Sequence, residues 1–516
     1  MSDAADWKPR FNPWIIAVAV MSGTFMEVLD TSVANVALPH IAGNMSATAE
    51  EATWVITSYL VANAIVLPLT GWISATFGRK NFLLVCIVIF TIASGLSGAA
   101  TSLSQLVFFR ILQGIGGGAM QPVAQSILLE SFPPNKRGQA MALYGVGVVV
   151  APILGPILGG WFTDNYSWRW AFYINIPVGF FAVMMTYIFI EDPPYLRQQK
   201  LGPADRWGFI FLVLWVSSLQ IMLDKGQSED WFESTFIVVL ACMFVTFLVC
   251  FVGWELKRAQ PVVDLSVFRD STFAVSTILI TIVGAVLYGS VTLSPLFLQQ
   301  LLGYPAFDSG LAMAPRGAGA MLCMMAVGPL LQYVDGRYLV ALGFFVLGCS
   351  NLWLGHLNLT IGIEHVAWPN ALSGIGIGMI FVPLVTIAND RLPLNKLGAA
   401  SGVFNLMRNL GGGVGIAVAT TMLSRGTQSH RNFLSSHMNE WNLAFQEFQT
   451  NANAYLEPTV GPNGWLAVAS RTLAQQSAML AYIDAFTFMG ILSICCTPLV
   501  FFLRRPRGGA SAGGMH

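Results

Sequence analysis

Apolar runs of about 18 to 25 residues recur from one end of the chain to the other, separated by short segments where Lys, Arg, Pro and Asn gather. As helix, each run is long enough to cross about 30 Å of hydrocarbon. Lipid offers the backbone no hydrogen-bond partner, so only helices or closed barrels can span it. A barrel is excluded, because period-two alternation is absent and the runs are about twice the length a tilted strand needs. The composition agrees: 55% of the residues are hydrophobic, 10% are charged and the mean hydropathy is +0.64. A soluble chain of 516 residues would carry far more charge on its surface.

The expected fold is an all-α polytopic membrane protein with fourteen spans, near 13–35, 53–74, 81–100, 105–127, 140–162, 171–190, 207–224, 233–254, 271–296, 309–330, 338–355, 368–388, 401–423 and 480–502. Eighteen Lys and Arg, among them Arg79, Lys80, Lys136, Arg137, Arg197, Lys200, Arg391, Lys396, Arg504, Arg505 and Arg507, fall at one set of span ends; five fall at the other. The positive-inside rule then places both termini in the cytoplasm. The first apolar run lacks a small-residue cleavage site and leads into another span, so it is expected to remain as a helix and not to be removed as a signal peptide. All seven Cys sit in apolar runs without metal or disulfide spacing and read as small buried hydrophobes.

Glycines occupy similar places in two stretches: Gly145, Gly147, Gly155, Gly159 and Gly160 in the fifth span, and Gly411, Gly412, Gly413 and Gly415 in the thirteenth. If spans one to six match spans nine to fourteen, the chain divides into a tail (1–12), a six-helix bundle (13–190), a two-helix insert with linkers (191–270), a second six-helix bundle (271–502) and a tail (503–516). Such a repeat suits alternating access. The glycines serve close helix packing, or, together with Pro152 and Pro156, a bending or gating element. An external connection at 424–479, rich in Asn, Gln, Ser and His and holding Arg425, Arg431, Glu440 and Glu447, is either a tolerated insertion or a docking surface. Periodicity hints at amphipathic helix near 439–455 and 467–479.

Ionisable residues at membrane depth are costly and mark function more often than not. The first span carries Glu27 and Asp30 with Thr31 at spacings of three and four, which puts them on one side of the helix with no basic residue beside them. A shielded carboxylate there either takes up a proton, because desolvation and a like-charged neighbour disfavour the anion, or pairs with a base. The alternative is that Asp30 braces local backbone. Arg110, in the fourth span with Gln113, Gln121, Pro122 and Gln125, cannot shed its charge and should face the interior. There it either meets Asp30 or bonds neighbouring carbonyls. Arg316 and Arg408 are the other bases inside spans, and each either snorkels or pairs with an acid. Asp224 and Glu255 lie near span ends and read as structural.

Soluble-enzyme motifs are missing. Gly114 to Gly118 lies inside a span without the Lys-Ser/Thr of a nucleotide loop, so ATP drive is not expected from this chain. His356, His365, His430 and His437 have no tight metal spacing. No ring of like charges suggests a channel filter.

The run Leu29-Asp30-Thr31 to Pro39, the turn Gly71 to Lys80, the Arg110 to Gly114 segment and the Gly145 to Gly160 stretch together resemble the major facilitator superfamily. Within it the resemblance is to the fourteen-helix drug:proton antiporters of the EmrB/QacA type, and Trp168-Arg169-Trp170, Asn175, Asp224 and Val263-Asp264-Leu265 extend it over residues 12–503. The turn departs from the family pattern, with Ala75 and Thr76 where an Asp and a base are customary. The resemblance implies a major facilitator fold in a 6+2+6 arrangement and no enzymatic activity. It also implies export of hydrophobic or amphipathic toxic compounds from the bacterial inner membrane, driven by the proton motive force without a cofactor. Its likeness to EmrB-type exporters further implies an EmrA-like periplasmic adaptor and a TolC-like outer-membrane channel as partners. Proton coupling is then expected of Asp30, Glu27 and Arg110, and substrate binding or gating of Thr31, Asn35, Gln113, Gln121, Gln125, Gly155, Pro156 and Arg408. A proton-coupled importer of the same superfamily, or a membrane receptor or scaffold, is the alternative.

Overall fold

The computed structural model describes residues 9–133, 136–193, 205–258, 261–393, 396–439, 441–460 and 464–504. Arg197, Lys200, Glu440, Arg505, Arg507 and the extreme tails, which enter the sequence argument, lie outside the described residues. Among the described residues twelve helices are long and apolar enough to cross a membrane.

The first bundle contains α1 (Pro13–Asn44), the one-turn α2 (Ala49–Ala52), α3 (Trp54–Phe77), α4 (Arg79–Ala99), α5 (Leu103–Gly117), α6 (Met120–Ser131), α7 (Arg137–Asn165), the one-turn α8 (Trp170–Tyr173) and α9 (Asn175–Phe189). A helical pair, α10 (Arg206–Lys225) and α11 (Thr235–Glu255), follows. The second bundle contains α12 (Ser271–Leu296), α13 (Ala306–Leu330), α14 (Gly336–Leu354), α15 (Ile363–Asn389), α16 (Leu397–Ser436), α17 (Leu443–Val460) and α18 (Gly464–Cys496). Entry into α1 follows from Asn12, whose side chain accepts from the Trp14 N–H at 3.0 Å, and from Pro13, which has no N–H to leave unpaired.

Two of the predicted spans take an unexpected form. The fourth, near 105–127, breaks between Gly117 and Met120 into α5 and α6, each too short to cross by itself. Glycines are poor helix formers, and a Cβ at Gly114 or Gly118 would crowd the α3 backbone at Tyr59 and Asn63, while one at Gly116 would crowd α4 at Phe90. Close approach to two neighbours therefore fixes the break. The second departure lies in the connection at 424–479: α16 continues for 40 residues to Ser436 where irregular chain was expected, whereas the helical stretches expected near 439–455 and 467–479 are present as α17 and the start of α18. Polar composition suggested a connection, yet the segment is rich in Ala, Leu and Gln, which extend helices as readily beyond the lipid as within it.

The bundles meet on the side where α3 and α13 end and α7 and α16 begin. A Cβ at Gly71 would press on Ala399 and one at Gly402 on the Leu67 carbonyl; Gly138 faces Gly328, and the Tyr144 and Phe381 rings stack at 6.0 Å. The absent Asp in the Gly71–Lys80 turn does not leave that side without charge. Arg79 forms an ion pair with Glu130 at the end of α6, both nearly buried, and Asp192 accepts the Lys80 N–H at 2.9 Å beside Gly78, whose φ is +84°. On the opposite side α10 rests on the first bundle through Asp224, which accepts from Thr57, and Lys225, which donates to Thr53; it reaches the second through the neighbouring Trp231, which donates to Thr421.

Candidate functional site

Asp30 is fully buried, and the donors around it come from two other helices of the first bundle, two from α5 and one from α9. Arg110 Nη1 donates to Oδ2 at 2.6 Å, while Gln113 Nε2 at 2.8 Å and Asn175 Nδ2 at 2.7 Å both donate to Oδ1. The second amide hydrogen of Asn175 reaches Ser94 at 2.9 Å, and Ser94 donates to the Phe172 carbonyl. Arg110 is equally enclosed: its Nε donates to the Val55 carbonyl at 3.0 Å, and its guanidinium lies 4.2 Å from the centre of the Tyr59 ring. A charged pair is tolerated in such a place only when geometry and extra hydrogen bonds offset the lost hydration, and here both oxygens of the carboxylate are occupied.

Glu27, one turn earlier on α1 and 3% exposed, has a different company. Tyr59 Oη and Asn63 Nδ2 donate to Oε1 at 3.1 Å each, and Gln121 Nε2 donates to Oε2 at 2.6 Å. All three are neutral. Behind Gln121 stands Arg408 of α16, whose Nη2 donates to the Gln121 carbonyl oxygen. The sequence Glu27–Gln121–Arg408 thus runs from the first bundle into the second. One level away, Asn405 Nδ2 donates to Gln125 Oε1 at 2.7 Å across the same boundary. Tyr59 belongs to both clusters, since its ring lies against Arg110 and its hydroxyl reaches Glu27. A hydroxyl can donate or accept, so Tyr59 can serve Glu27 in either protonation state.

The structure therefore brings Asp30, Arg110 and Gln113 together, and Glu27, Gln121 and Arg408 together, with Gln125 beside the second group. Thr31 and Asn35 stay apart; they donate to Val28 and Thr31 carbonyls of their own helix, and Asn35 is exposed. Gly155 is a point of contact, where α7 lies against α1 and Ser32 donates to the Pro152 carbonyl at 2.8 Å; a Cβ there would collide with Ser32. Pro156 follows in the same helix. Sequence reasoning did not single out Tyr59, Asn63, Ser94 or Asn175 for this site. Tyr59 and Asn63 were detectable as a polar pair four residues apart in an apolar span; Asn175 was part of the family resemblance but nothing in it pointed to Asp30, and Ser94 carries no local signal. Among the described residues no three His, Cys, Asp or Glu gather to hold a metal ion.

Residues 20–416 match the sequence profile of the Major Facilitator Superfamily. The chain is 36% identical over 507 residues to the multidrug export protein EmrB of Haemophilus influenzae, covering 96% of each chain. It is also 36% identical over 506 residues to the multidrug export protein EmrB of Escherichia coli, covering 97% of this chain and 98% of that one. Among solved structures, the human organic anion transporter MFSD10 superposes with a TM-score of 0.61 over 94% of this chain and 100% of that one, at 14% identity, a likeness of fold.

Proposed function

From a chain that belongs to the Major Facilitator Superfamily, and is thus a secondary active transporter and not an enzyme, we propose a proton-driven exporter of hydrophobic and amphipathic toxic compounds. Its place is the bacterial inner membrane, as a multi-pass protein. The full arrangement in this reading is fourteen crossings, six plus two plus six, with α5 and α6 forming one broken crossing and the apolar first part of α16 another. Both termini are cytoplasmic in this reading, since the basic turns share one side. The bundles then touch on the cytoplasmic side, and α16, α17 and α18 reach into the periplasm. An EmrA-like adaptor and a TolC-like channel would complete the path; their support is the likeness to EmrB and the helices that stand out from the membrane.

The observation that carries the reading is the pair of unequal carboxylate sites on α1. Asp30 is compensated by a full charge inside one bundle, while Glu27 is compensated by dipoles and, through Gln121, by a cation of the other bundle. Protonating Asp30 removes the partner of Arg110. A cationic or polar substrate reaching Glu27 must displace Gln121 or its link to Arg408, and so loosens the boundary between bundles. Exchange needs only that the protonated and the substrate-bound forms disfavour one another. In this reading uncharged substrates bind through apolar contacts and do not need Glu27.

Proteoliposomes with an imposed pH gradient test this directly. Purified protein should expel ethidium from the compartment on the side of its basic turns while protons move the other way. Asp30→Asn should abolish the coupled movement in protein that still elutes as a folded species. Gradient-dependent export by that variant, or uptake in the opposite direction by the unaltered chain, would overturn the assignment.

A further inference from the structure

The second bundle holds a fully enclosed cation that neither network uses. Arg316 of α13 is 1% exposed, and among the described residues no carboxylate lies within ion-pair distance of it. Its Nε donates to Ser373 Oγ at 3.1 Å, and Nη2 donates to Ser373 Oγ at 2.8 Å and to Ser290 Oγ at 2.7 Å. Ser290 in turn spends its own hydrogen on the Leu287 carbonyl at 3.1 Å. Nη1 is buried and donates to nothing among the described residues. A guanidinium carries five donors and a fixed charge; here three hydroxyl contacts serve three of the donors, two remain, and the charge is unopposed.

Three helices meet at this point: α12 through Ser290, α13 through Arg316 and α15 through Ser373. They are the first, second and fourth major helices of the second bundle, counting α5 and α6 as one. The corresponding helices of the first bundle bring together Asp30, Tyr59 with Asn63, and Arg110 with Gln113. The same corner that holds an acid and a base in one bundle holds a base alone in the other. Glycines let the two backbones come this close, because a Cβ at Gly374 would collide with the Arg316 carbonyl and one at Gly319 with that of Ala371.

We propose that Arg316, with Ser290 and Ser373, is the binding site for the carboxylate head of amphipathic substrates. The head supplies the missing negative charge and accepts from Nη1. The site is shut in the present conformation and opens when α12 and α15 part from α13 or from the facing bundle. This assignment rests on the export reading for its physiological meaning, though not for the binding itself.

The test uses the full chain in lipid nanodiscs and two probes with equal tails, octanoate and octyltrimethylammonium. Arg316→Gln should weaken octanoate binding at least tenfold and leave octyltrimethylammonium within twofold. Ser373→Asp, which places a fixed anion beside the guanidinium and so also preserves a filled corner, should abolish octanoate binding in the same way. Octanoate binding within twofold of the unaltered chain in either variant would overturn the proposal, as would an equal loss of both probes. If Arg316→Gln does not fold, Ser373→Asp alone decides. The two readings fail separately: Arg316-dependent octanoate binding in a chain that exports nothing removes the export reading and keeps the site, while intact ethidium export with Arg316-independent octanoate binding does the reverse.

Discussion

The two bundles place buried arginines at matching corners and treat them in opposite ways. Arg110 has Asp30 at 2.6 Å, a backbone carbonyl and an aromatic face; Arg316 has two serine hydroxyls. The difference separates a charge kept in place by its surroundings from one that its surroundings leave incomplete. In the first bundle compensation is internal, so a proton arriving at Asp30 undoes something already made. In the second, no carboxylate among the described residues compensates Arg316, and the proposed substrate head does.

The largest effect that can break this contrast is Asp30→Asn, which should bring gradient-driven export down to background while ethidium binding persists; a loss of less than about tenfold would put Asp30 outside the coupling machinery. Next come paired replacements whose effects should differ in sign. Arg110→Met strands a buried carboxylate and should cost about 3 to 5 kcal/mol, whereas Arg316→Met removes an unopposed charge and should be neutral or stabilising by about 1 kcal/mol. Thermal unfolding midpoints of the two purified variants, read in the absence of ligand, check this; two falls of equal size would erase the distinction. Asn175→Ala takes one of three donors from Asp30 and should slow coupled export by roughly tenfold, about 1.4 kcal/mol, with ethidium binding unchanged. Glu27→Gln should reduce export of cations several-fold more than export of neutral compounds, since the neutral class does not need the carboxylate; parallel losses would move Glu27 into the coupling step. Asn35→Ala should shift neither stability nor export by more than about 0.5 kcal/mol, because its side chain is exposed and bonded to its own helix.

Much of the architecture was legible because lipid simplifies the reading: a run of apolar residues long enough to cross must be helix, whatever its neighbours do. Where that rule does not apply, the reading weakened. The break at Gly118 depends on how closely α3 and α4 approach, and the extension of α16 through 424–436 depends on helix propensity where polarity no longer separates helix from loop, while the periodicity near 439–455 did point to α17. The acids and bases of the site stood out against an apolar background, hence the early notice of Glu27, Asp30, Arg110 and Arg408. Of their partners, Gln113 and Gln121 stood out as amides in the same broken span, while Tyr59, Asn63 and Asn175 were not tied to the site. Asn175 sits 145 positions from Asp30, and only the folded bundle shows that its amide is spent on that carboxylate. Arg316 stands out in the sequence as a base within a span, but that no acid among the described residues meets it is a property of three converging helices.

The 40 residues of α16 make a rod of about 60 Å, roughly twice the thickness of the hydrocarbon layer. Its lower portion touches Gln121 and Gln125 through Arg408 and Asn405, so in the proposed cycle the shaft is keyed to the contacts that substrate at Glu27 would displace. Any pivot of the second bundle is therefore magnified at the far tip, like the swing of a mast above a rolling hull. A protein seated on that mast would sense each turnover as mechanical displacement, without touching the cargo.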